Sequence, residues 1–269
     1  MLKVVGLQLK LEDGKKRKNL TKALEILKGV VNREKEADIF CLPELFDTGF
    51  SYANLKLLAE EIPGETVNAL MDFAEEFHSY IIAGIAEKHE DKVFDSAVLI
   101  SPRGRVLCVY RKTHLFQDEK NYFSSSDKIF VIDVGRFRIG LQICYEVRFP
   151  EISRTLTLHG AKIIFTLAAF PLERIDHFVI LSRARALENQ VFHVAVNRVG
   201  SGEDKVYGGR SMIINPLGDV IAGIGRIEGT VVGSIDLNLA DRVRKEITVL
   251  ADRKEDVYKR VEIIRANFR

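Results

Sequence analysis

Apolar residues along the chain fall into two alternating periods. Val4 to Leu9 is a largely apolar run of strand length, Lys15 to Lys35 spaces its apolar residues as one face of a helix, and Asp38 to Leu42 is a second short strand-like run ending at Pro43-Glu44. Glu65 to Phe77 again has helical spacing. Strand-like runs follow at Tyr80 to Ala86, Ser96 to Ser101 and Arg105 to Arg111, the last two joined as a hairpin by Pro102-Arg103-Gly104. Lys112 to Lys128 has no steady period and carries polar and aromatic residues and a serine triplet, which marks a loop of functional length. Beyond it the alternation resumes, with strands at Ile129 to Val134 and Phe137 to Ile143, a helix at Pro150 to His159 and a strand at Ile163 to Leu167. A helix at Ile175 to Asn189, a strand at Val191 to Val196 and a second hairpin at Ser211 to Ile221 complete the pattern.

The two hairpins are related. Leu99-Ile-Ser-Pro-Arg-Gly-Arg-Val-Leu107 and Ile213-Ile-Asn-Pro-Leu-Gly-Asp-Val-Ile221 share Pro, Gly and Val at a constant offset of 114 residues. Pro-x-Gly between strands is by itself an ordinary turn signal. The same offset, however, lays the helix Glu65 to Phe77 over the helix around Arg183 to Asn189, and Tyr80-Ile-Ile over Val194-Ala-Val. This predicts an α+β fold with an approximate internal duplication. Two such halves, each a mixed sheet with helices on one side, bury both sheets if they stack as a four-layer α-β-β-α sandwich.

Composition narrows the function classes. Lys and Arg number 40 against 38 Asp and Glu, a formal net charge of +2 with the signs interspersed, so no basic footprint for nucleic acid or a membrane surface stands out. No apolar run reaches membrane-spanning length, the first ten residues lack a secretory pattern, and a cytoplasmic protein is expected. A single domain over residues 1–269 is expected, with a core of about 2–237 and an extension over 238–269. Cys41, Cys108 and Cys144 are an odd set without C-x-x-C spacing, which suggests neither disulfides nor a zinc cluster. His78, His89, His159, His177 and His193 lack the mutual spacing of a metal site. Gly202 to Gly209 lacks the frame of a phosphate loop.

Three polar residues stand where apolar strands run out, the position at which α/β scaffolds display catalytic groups: Glu44, Lys112 and Cys144. Singly, each has an ordinary explanation as a strand-end carboxylate, a solvated lysine and a buried thiol. Together they supply what a thiol nucleophile requires. A free thiol near pKa ~8.5 is mostly protonated at neutral pH, so attack needs a nearby base or cation.

Phe40-Cys-Leu-Pro-Glu-Leu-Phe-Asp-Thr-Gly-Phe50, Tyr110-Arg-Lys-Thr-His-Leu-Phe116 and Gly140-Leu-Gln-Ile-Cys-Tyr-Glu-Val-Arg-Phe-Pro-Glu151 resemble, in order and spacing, the three signature segments of the nitrilase superfamily of carbon-nitrogen hydrolases. Arg183-Ala-Arg-Ala-Leu-Glu-Asn-Gln190, Asn197-Arg-Val-Gly200 and Ser211-Met-Ile-Ile-Asn-Pro-Leu-Gly218 are similar to later segments, so the resemblance covers nearly the whole chain. It implies Cys144 as nucleophile, Lys112 as cationic partner and Glu44 as general base. It also implies Glu119 as a second glutamate that positions Lys112 and substrate, the alternative being a solvated charge beside Asp118 and Lys120. The family's fold is the four-layer sandwich, assembled as a homodimer or higher homo-oligomer without a cofactor. The Lys112 loop departs from the common version in having Ser124-Ser-Ser126 where Pro-Gly is frequent.

For substrate binding, the candidates are Tyr145, whose backbone N–H joins Lys112 as an oxyanion donor, together with Arg148 and Phe170. The Arg148 guanidinium matches a substrate carboxylate, or pairs with Glu146 or Glu151 in the scaffold. Phe170 is a pocket wall or a core aromatic. His114 is expected as a structural support, and Cys41 and Cys108 as packing residues. The segments around Cys144 and Asn197 resemble amidases that act on small carboxylated amides, including the ω-amidase type. N-carbamoyl amino acid hydrolysis is the alternative, then nitrile hydrolysis, and a catalytically silent binding module or a thiol-redox protein are the readings outside this chemistry. Ile152 to His159 and Ile175 to Asn189 are the expected subunit contacts, and Asp252 to Arg269 is expected to fold over a partner or fray.

Overall fold

A computed structural model describes residues 1–34 and 36–260. Its strands are β1 (Leu2–Gln8), β2 (Ile39–Cys41), β3 (Tyr80–His89), β4 (Lys92–Ile100), β5 (Val106–Arg111), β6 (Val131–Asp133) and β7 (Arg138–Ile143). They continue as β8 (Ile163–Ala168), β9 (Phe192–Asn197), β10 (Val199–Ser201), β11 (Val206–Gly208), β12 (Met212–Ile214), β13 (Val220–Gly223) and β14 (Gly229–Ile235). The helices are α1 (Lys16–Glu34), α2 (Leu55–Leu58), α3 (Glu65–Glu76), α4 (Pro150–Leu158), α5 (Ile175–Asn189), α6 (Asn238–Glu246) and α7 (Glu255–Tyr258). Of the expected carboxy-terminal extension, residues 261–269 lie outside the described part.

Two six-stranded mixed sheets carry the fold, in the orders β14-β1-β2-β3-β4-β5 and β6-β7-β8-β9-β12-β13, with β10 and β11 as a separate ribbon. In each, the strands β1, β2, β3 or β7, β8, β9 run parallel and the flanking strands antiparallel. The internal repeat reaches down to single hydrogen bonds. Gly104 and Gly218 turn the two related hairpins with φ of 61° and 82°, and each donates its N–H, at 3.0 Å, to the carbonyl three residues back, Ser101 and Asn215. Both hairpins then slip register at matching places, between Leu99 and Ile100 and between Ile213 and Ile214.

Alternation along each strand decides the layers. Val4, Ile39 and Ile82 of the first sheet meet Leu141, Phe165 and Val194 of the second in a buried inter-sheet core. The next residues along, Val5, Phe40 and Ile81, face outward onto Leu20, Leu27 and Val30 of α1 and Leu70 and Phe73 of α3. On the far side, Ile152 and Leu156 of α4 pack on Ile164, and Phe178 and Ala186 of α5 on Ala195 and Ile214. Burying each such side chain contributes about 1.5–3 kcal/mol, so the four layers hold one another in place.

Several features depart from the pattern read along the chain, among them the β10/β11 ribbon, the helices α2, α6 and α7, and the following two strands. The apolar run 129–134 pairs only over Val131–Asp133, because its remaining residues turn into the flanking loops. The strand β14, absent from the sequence expectation, pairs with all seven residues of β1, from Leu2 opposite Ile235 to Gln8 opposite Gly229. Its glycines and half-exposed residues carry no strong apolar signal, and only pairing with β1 makes it a strand. The parallel strands β2, β7 and β8 all point their carboxyl ends toward one end of the sandwich, as does β5.

Candidate active site

Glu44 lies three residues past β2, in a turn where Leu45 takes φ of 45°. The turn passes so close to β3 that a Cβ on Gly84 would sit 2.6 Å from the Glu44 Cα, so only glycine lets the strand by. Lys112 follows β5 directly, its N–H donating to the Asp95 carbonyl at 2.9 Å. Glu44, Asp95 and Lys112 are all fully buried. The Lys112 Nζ donates to Glu44 Oε1 at 2.6 Å, Asp95 Oδ2 at 2.9 Å and Glu119 Oε1 at 3.1 Å. An ammonium has three N–H donors, and carboxylates take all of them. Glu119 Oε2 accepts the Phe116 N–H at 2.8 Å, which fixes the short turn at Gln117–Asn121.

Burial pushes the Glu44 carboxyl well above the usual carboxylate range, with Lys112 opposing the shift and Asp95 and Glu119 adding to it. For Lys112, burial acts to discharge the ammonium, but the surrounding Asp95, Glu119 and Glu44 outweigh it and raise its pKa well above the lysine norm. The site therefore keeps its cation and enriches the proton affinity of its carboxylate.

Cys144 is the first residue after β7 and takes φ of 46°, a left-handed conformation that costs a non-glycine residue about 1–3 kcal/mol. The strain is borne by the short turn Cys144–Arg148, which the buried Glu146 locks. Glu146 Oε2 accepts the Ile143 N–H at 2.7 Å, while Oε1 accepts the Tyr110 hydroxyl at 2.7 Å, the Thr113 N–H at 2.7 Å and the Thr113 hydroxyl at 2.6 Å. One carboxylate thus ties the Cys144 turn to the segment leaving Lys112. The Ala169 N–H donates to Glu44 Oε2 at 2.8 Å, and Ala169 lines the same pocket as Cys144 and Glu119. Burial raises the thiol well above its usual pKa, the Glu44 charge adds to this, and Lys112 opposes it. A thiol held neutral in this way needs a base to become a nucleophile.

Cys144 opens into a pocket lined in part by Tyr52, Glu119, Tyr145, Arg148, Phe170 and Lys205. The Arg148 guanidinium lies 5.1 Å over the Phe170 ring and 3.4 Å from His177 Nδ1, and neither Glu146 nor Glu151 pairs with it. Phe170 is both wall and core: it lines the pocket, is 3% exposed, and packs on Phe178 at 5.2 Å. Asn197 Oδ1 accepts the Phe170 N–H at 2.7 Å and so holds that wall. The Tyr145 ring sits between Phe116 and Phe149, at 5.0 and 5.1 Å. Opposite, the buried Arg198 donates to Asp13 Oδ1 at 2.6 Å, and Asp13 in turn accepts the N–H groups of Phe50 and Glu203, two pocket-lining residues.

The remaining candidates lie elsewhere. Cys41 is fully buried in the inter-sheet core, and Cys108 is partly exposed at its edge. The His114 ring packs on Phe149 at 4.0 Å and its Nδ1 lies 2.8 Å from the Thr113 hydroxyl. Among the described residues, no group of His, Cys, Asp or Glu is placed to hold a metal ion, and no helix is long and apolar enough to cross a membrane. Two residues of the site escape a reading of the sequence. Asp95 lies inside a buried strand whose apolar run, read along the chain, starts only at Ser96, and Glu146 stands beside Arg148 and is indistinguishable along the chain from its ion-pair partner.

The family model for carbon-nitrogen hydrolases matches residues 4–245 of the chain. The chain is 40% identical over 257 residues to a 2-oxoglutaramate amidase of Bacillus subtilis, covering 94% of this chain and 97% of the relative. It is 37% identical over 267 residues to a nitrilase of Pyrococcus abyssi, covering 96% and 99%. A CN-hydrolase superfamily protein from Xanthomonas campestris, with an arsenic adduct in its active site, matches with a TM-score of 0.87 at 26% identity, over 94% of this chain and 97% of that one.

Proposed function

Because the chain belongs to the carbon-nitrogen hydrolase family, we propose that it hydrolyses the amide bond of a small carboxylated amide through a thioester at Cys144, releasing ammonia. One observation carries this reading: Glu44 accepts hydrogen bonds from Lys112 and from the N–H of Ala169, and Ala169 lines one pocket with Cys144, so base and cation stand beside the thiol. As the sulfur bonds to the carbonyl carbon, its proton passes to Glu44. The oxyanion forms beside the Lys112 charge and the Tyr145 N–H. Because carboxylates occupy every Lys112 donor, Lys112 acts mainly as a fixed charge and Glu119 as its anchor. Collapse of the intermediate breaks the C–N bond, and Glu44 returns the proton to the departing ammonia. Water then gives a proton to Glu44 as it attacks the thioester, and that proton goes back to sulfur as the acid leaves.

Arg148 supports a carboxylated substrate, since its guanidinium lines the pocket without an acidic partner among the described residues and a carboxylate matches its fork. The name of the Bacillus subtilis relative, a 2-oxoglutaramate amidase, points to the same substrate class. The test is ammonia release across short ω-amides of dicarboxylic acids, N-carbamoyl amino acids and aliphatic nitriles. The ω-amides are expected to turn over fastest, and a clear preference for a carbamoyl compound or a nitrile would overturn the substrate class. A homodimer is part of the same proposal, supported by the exposed Leu158 on α4 and Ile180 and Leu187 on α5. Light scattering that finds a fully active monomer would remove it.

A further inference from the structure

Three buried carboxylates surround one ammonium, and the mechanism above gives a task to only two of them. The third, Asp95, sits mid-strand in β4 with no exposure. Its Oδ2 lies 2.9 Å from Lys112 Nζ, and its Oδ1 has no hydrogen-bond donor among the described residues. Both oxygens of Glu44 and both of Glu119 have donors, so Asp95 is the unsatisfied member. Asp95 Oδ2 and Glu44 Oε1 bind the same Lys112 Nζ, at 2.9 and 2.6 Å, which brings the two carboxyl groups side by side. Two carboxylates repel at that range, whereas a carboxylic acid and a carboxylate attract through the proton between them.

We infer that Asp95 is a positioning residue for the base, and that the proton Glu44 takes from Cys144 is held between the Glu44 and Asp95 carboxyls. The inference rests on the reading of Glu44 as general base. Its chemical reason is a mismatch. A carboxylate of ordinary pKa ~4.3 facing a thiol of ~8.5 works against a factor of about 10⁴ in proton transfer, and burial raises both groups rather than the base alone. Beyond what burial does to Glu44, the Asp95 charge beside it raises the proton affinity of the base further, and the free Asp95 Oδ1 supplies an acceptor within the same cluster once Glu44 is protonated. The other groups facing this pair are the Lys112 ammonium at the end of β5, Glu119 from the turn at Gln117–Asn121, the Cys144 thiol after β7 and the Tyr52 phenol. Two donors oppose protonation of Glu44: the Lys112 ammonium, common to all three carboxylates, and the Ala169 N–H on Glu44 Oε2.

The test is the pH profile of kcat/KM for wild type and Asp95→Asn, with circular dichroism to establish that the variant is folded. Asparagine keeps the size of Asp95 and removes its charge, so the acidic limb is expected to move to lower pH by about one unit or more, with a tenfold to hundredfold loss of kcat at neutral pH. An unshifted acidic limb in folded Asp95→Asn overturns the inference. Should the variant fail to fold, infrared titration of the wild-type enzyme decides: a protonated-carboxyl stretch that disappears with the same midpoint as the acidic limb supports the shared proton, and the lack of such a band overturns it. Turnover retained by Cys144→Ala would instead refute the underlying catalytic reading, so the two failures are distinct.

Discussion

The Lys112 ammonium lies 2.6 Å from Glu44 Oε1, across 68 residues of chain, with both side chains fully buried. Neither charge is tolerable there alone. Removing one partner of such a pair strands the other, at a cost of about 3–5 kcal/mol.

Lys112→Ala is therefore expected to lose that stability in denaturant unfolding, because three buried carboxylates lose their common cation, and to lose turnover with it. Glu44→Gln should behave differently, since an amide can still accept from Lys112 but cannot move protons. It is expected to acylate slowly and accumulate a mass adduct on the peptide containing Cys144, while Lys112→Ala accumulates none. An adduct on any other residue would contradict the mechanism.

Cys144→Ala is expected to abolish ammonia release while leaving the unfolding midpoint nearly unchanged, since it removes only the sulfur and leaves Cβ and the strained turn in place. Cys41→Ala should do the reverse, keeping turnover and losing roughly 1–2 kcal/mol of stability through a small cavity between the sheets. Activity assays paired with urea melts separate the two thiols.

Glu146→Gln probes the lock between the Cys144 turn and the Lys112 segment. Glutamine cannot accept the set of donors now offered by Ile143, Tyr110 and Thr113. A displacement of the nucleophile by even about 1 Å reduces kcat on the order of 10²-fold, so kcat should fall by that much with KM little changed. Steady-state kinetics on the purified variant check this, and an unaltered kcat would show that the turn holds itself.

Arg148→Met should raise KM for a carboxylated amide about ten- to a hundredfold, the loss of one charge-assisted hydrogen bond worth roughly 1.5–3 kcal/mol. For an uncharged amide of the same length KM should hardly move. Equal effects on both substrates would place Arg148 in the scaffold.

His193 gives the fold a pH dependence independent of catalysis. It is fully buried between Thr166 Oγ1 at 2.7 Å and the Ser182 carbonyl at 2.8 Å, and burial pushes its pKa down to about 4. The unfolded histidine binds its proton near the ordinary ~6.5 whereas the folded one does not, so this stability is fully present above that value and is lost as pH falls toward 4, by about 3 kcal/mol. Urea midpoints of wild type and His193→Gln measured across that range should converge as the pH falls.

The alternating periods of the chain already carry the two sheets, their flanking helices and the repeat at an offset of 114 residues, because burial on two faces imposes a pattern on every strand and helix. Glu44, Lys112 and Cys144 were legible as well, since a polar residue ending an apolar strand is a local feature. Other features were not. β14 is a strand only because β1 offers it a ladder, and the glycine-rich residues of β14 say nothing of this by themselves. The apolar run read along the chain starts at Ser96 and leaves Asp95 outside the strand, its contact with Lys112 depends on how β4 and β5 pair, and Glu146 could equally have paired with Arg148 until folding brought Tyr110 and Thr113 to it. Periodicity records which face of an element is dry. Which polar groups then satisfy one another inside is decided by register and layer packing between residues far apart in the chain, and that is information only the tertiary structure contains.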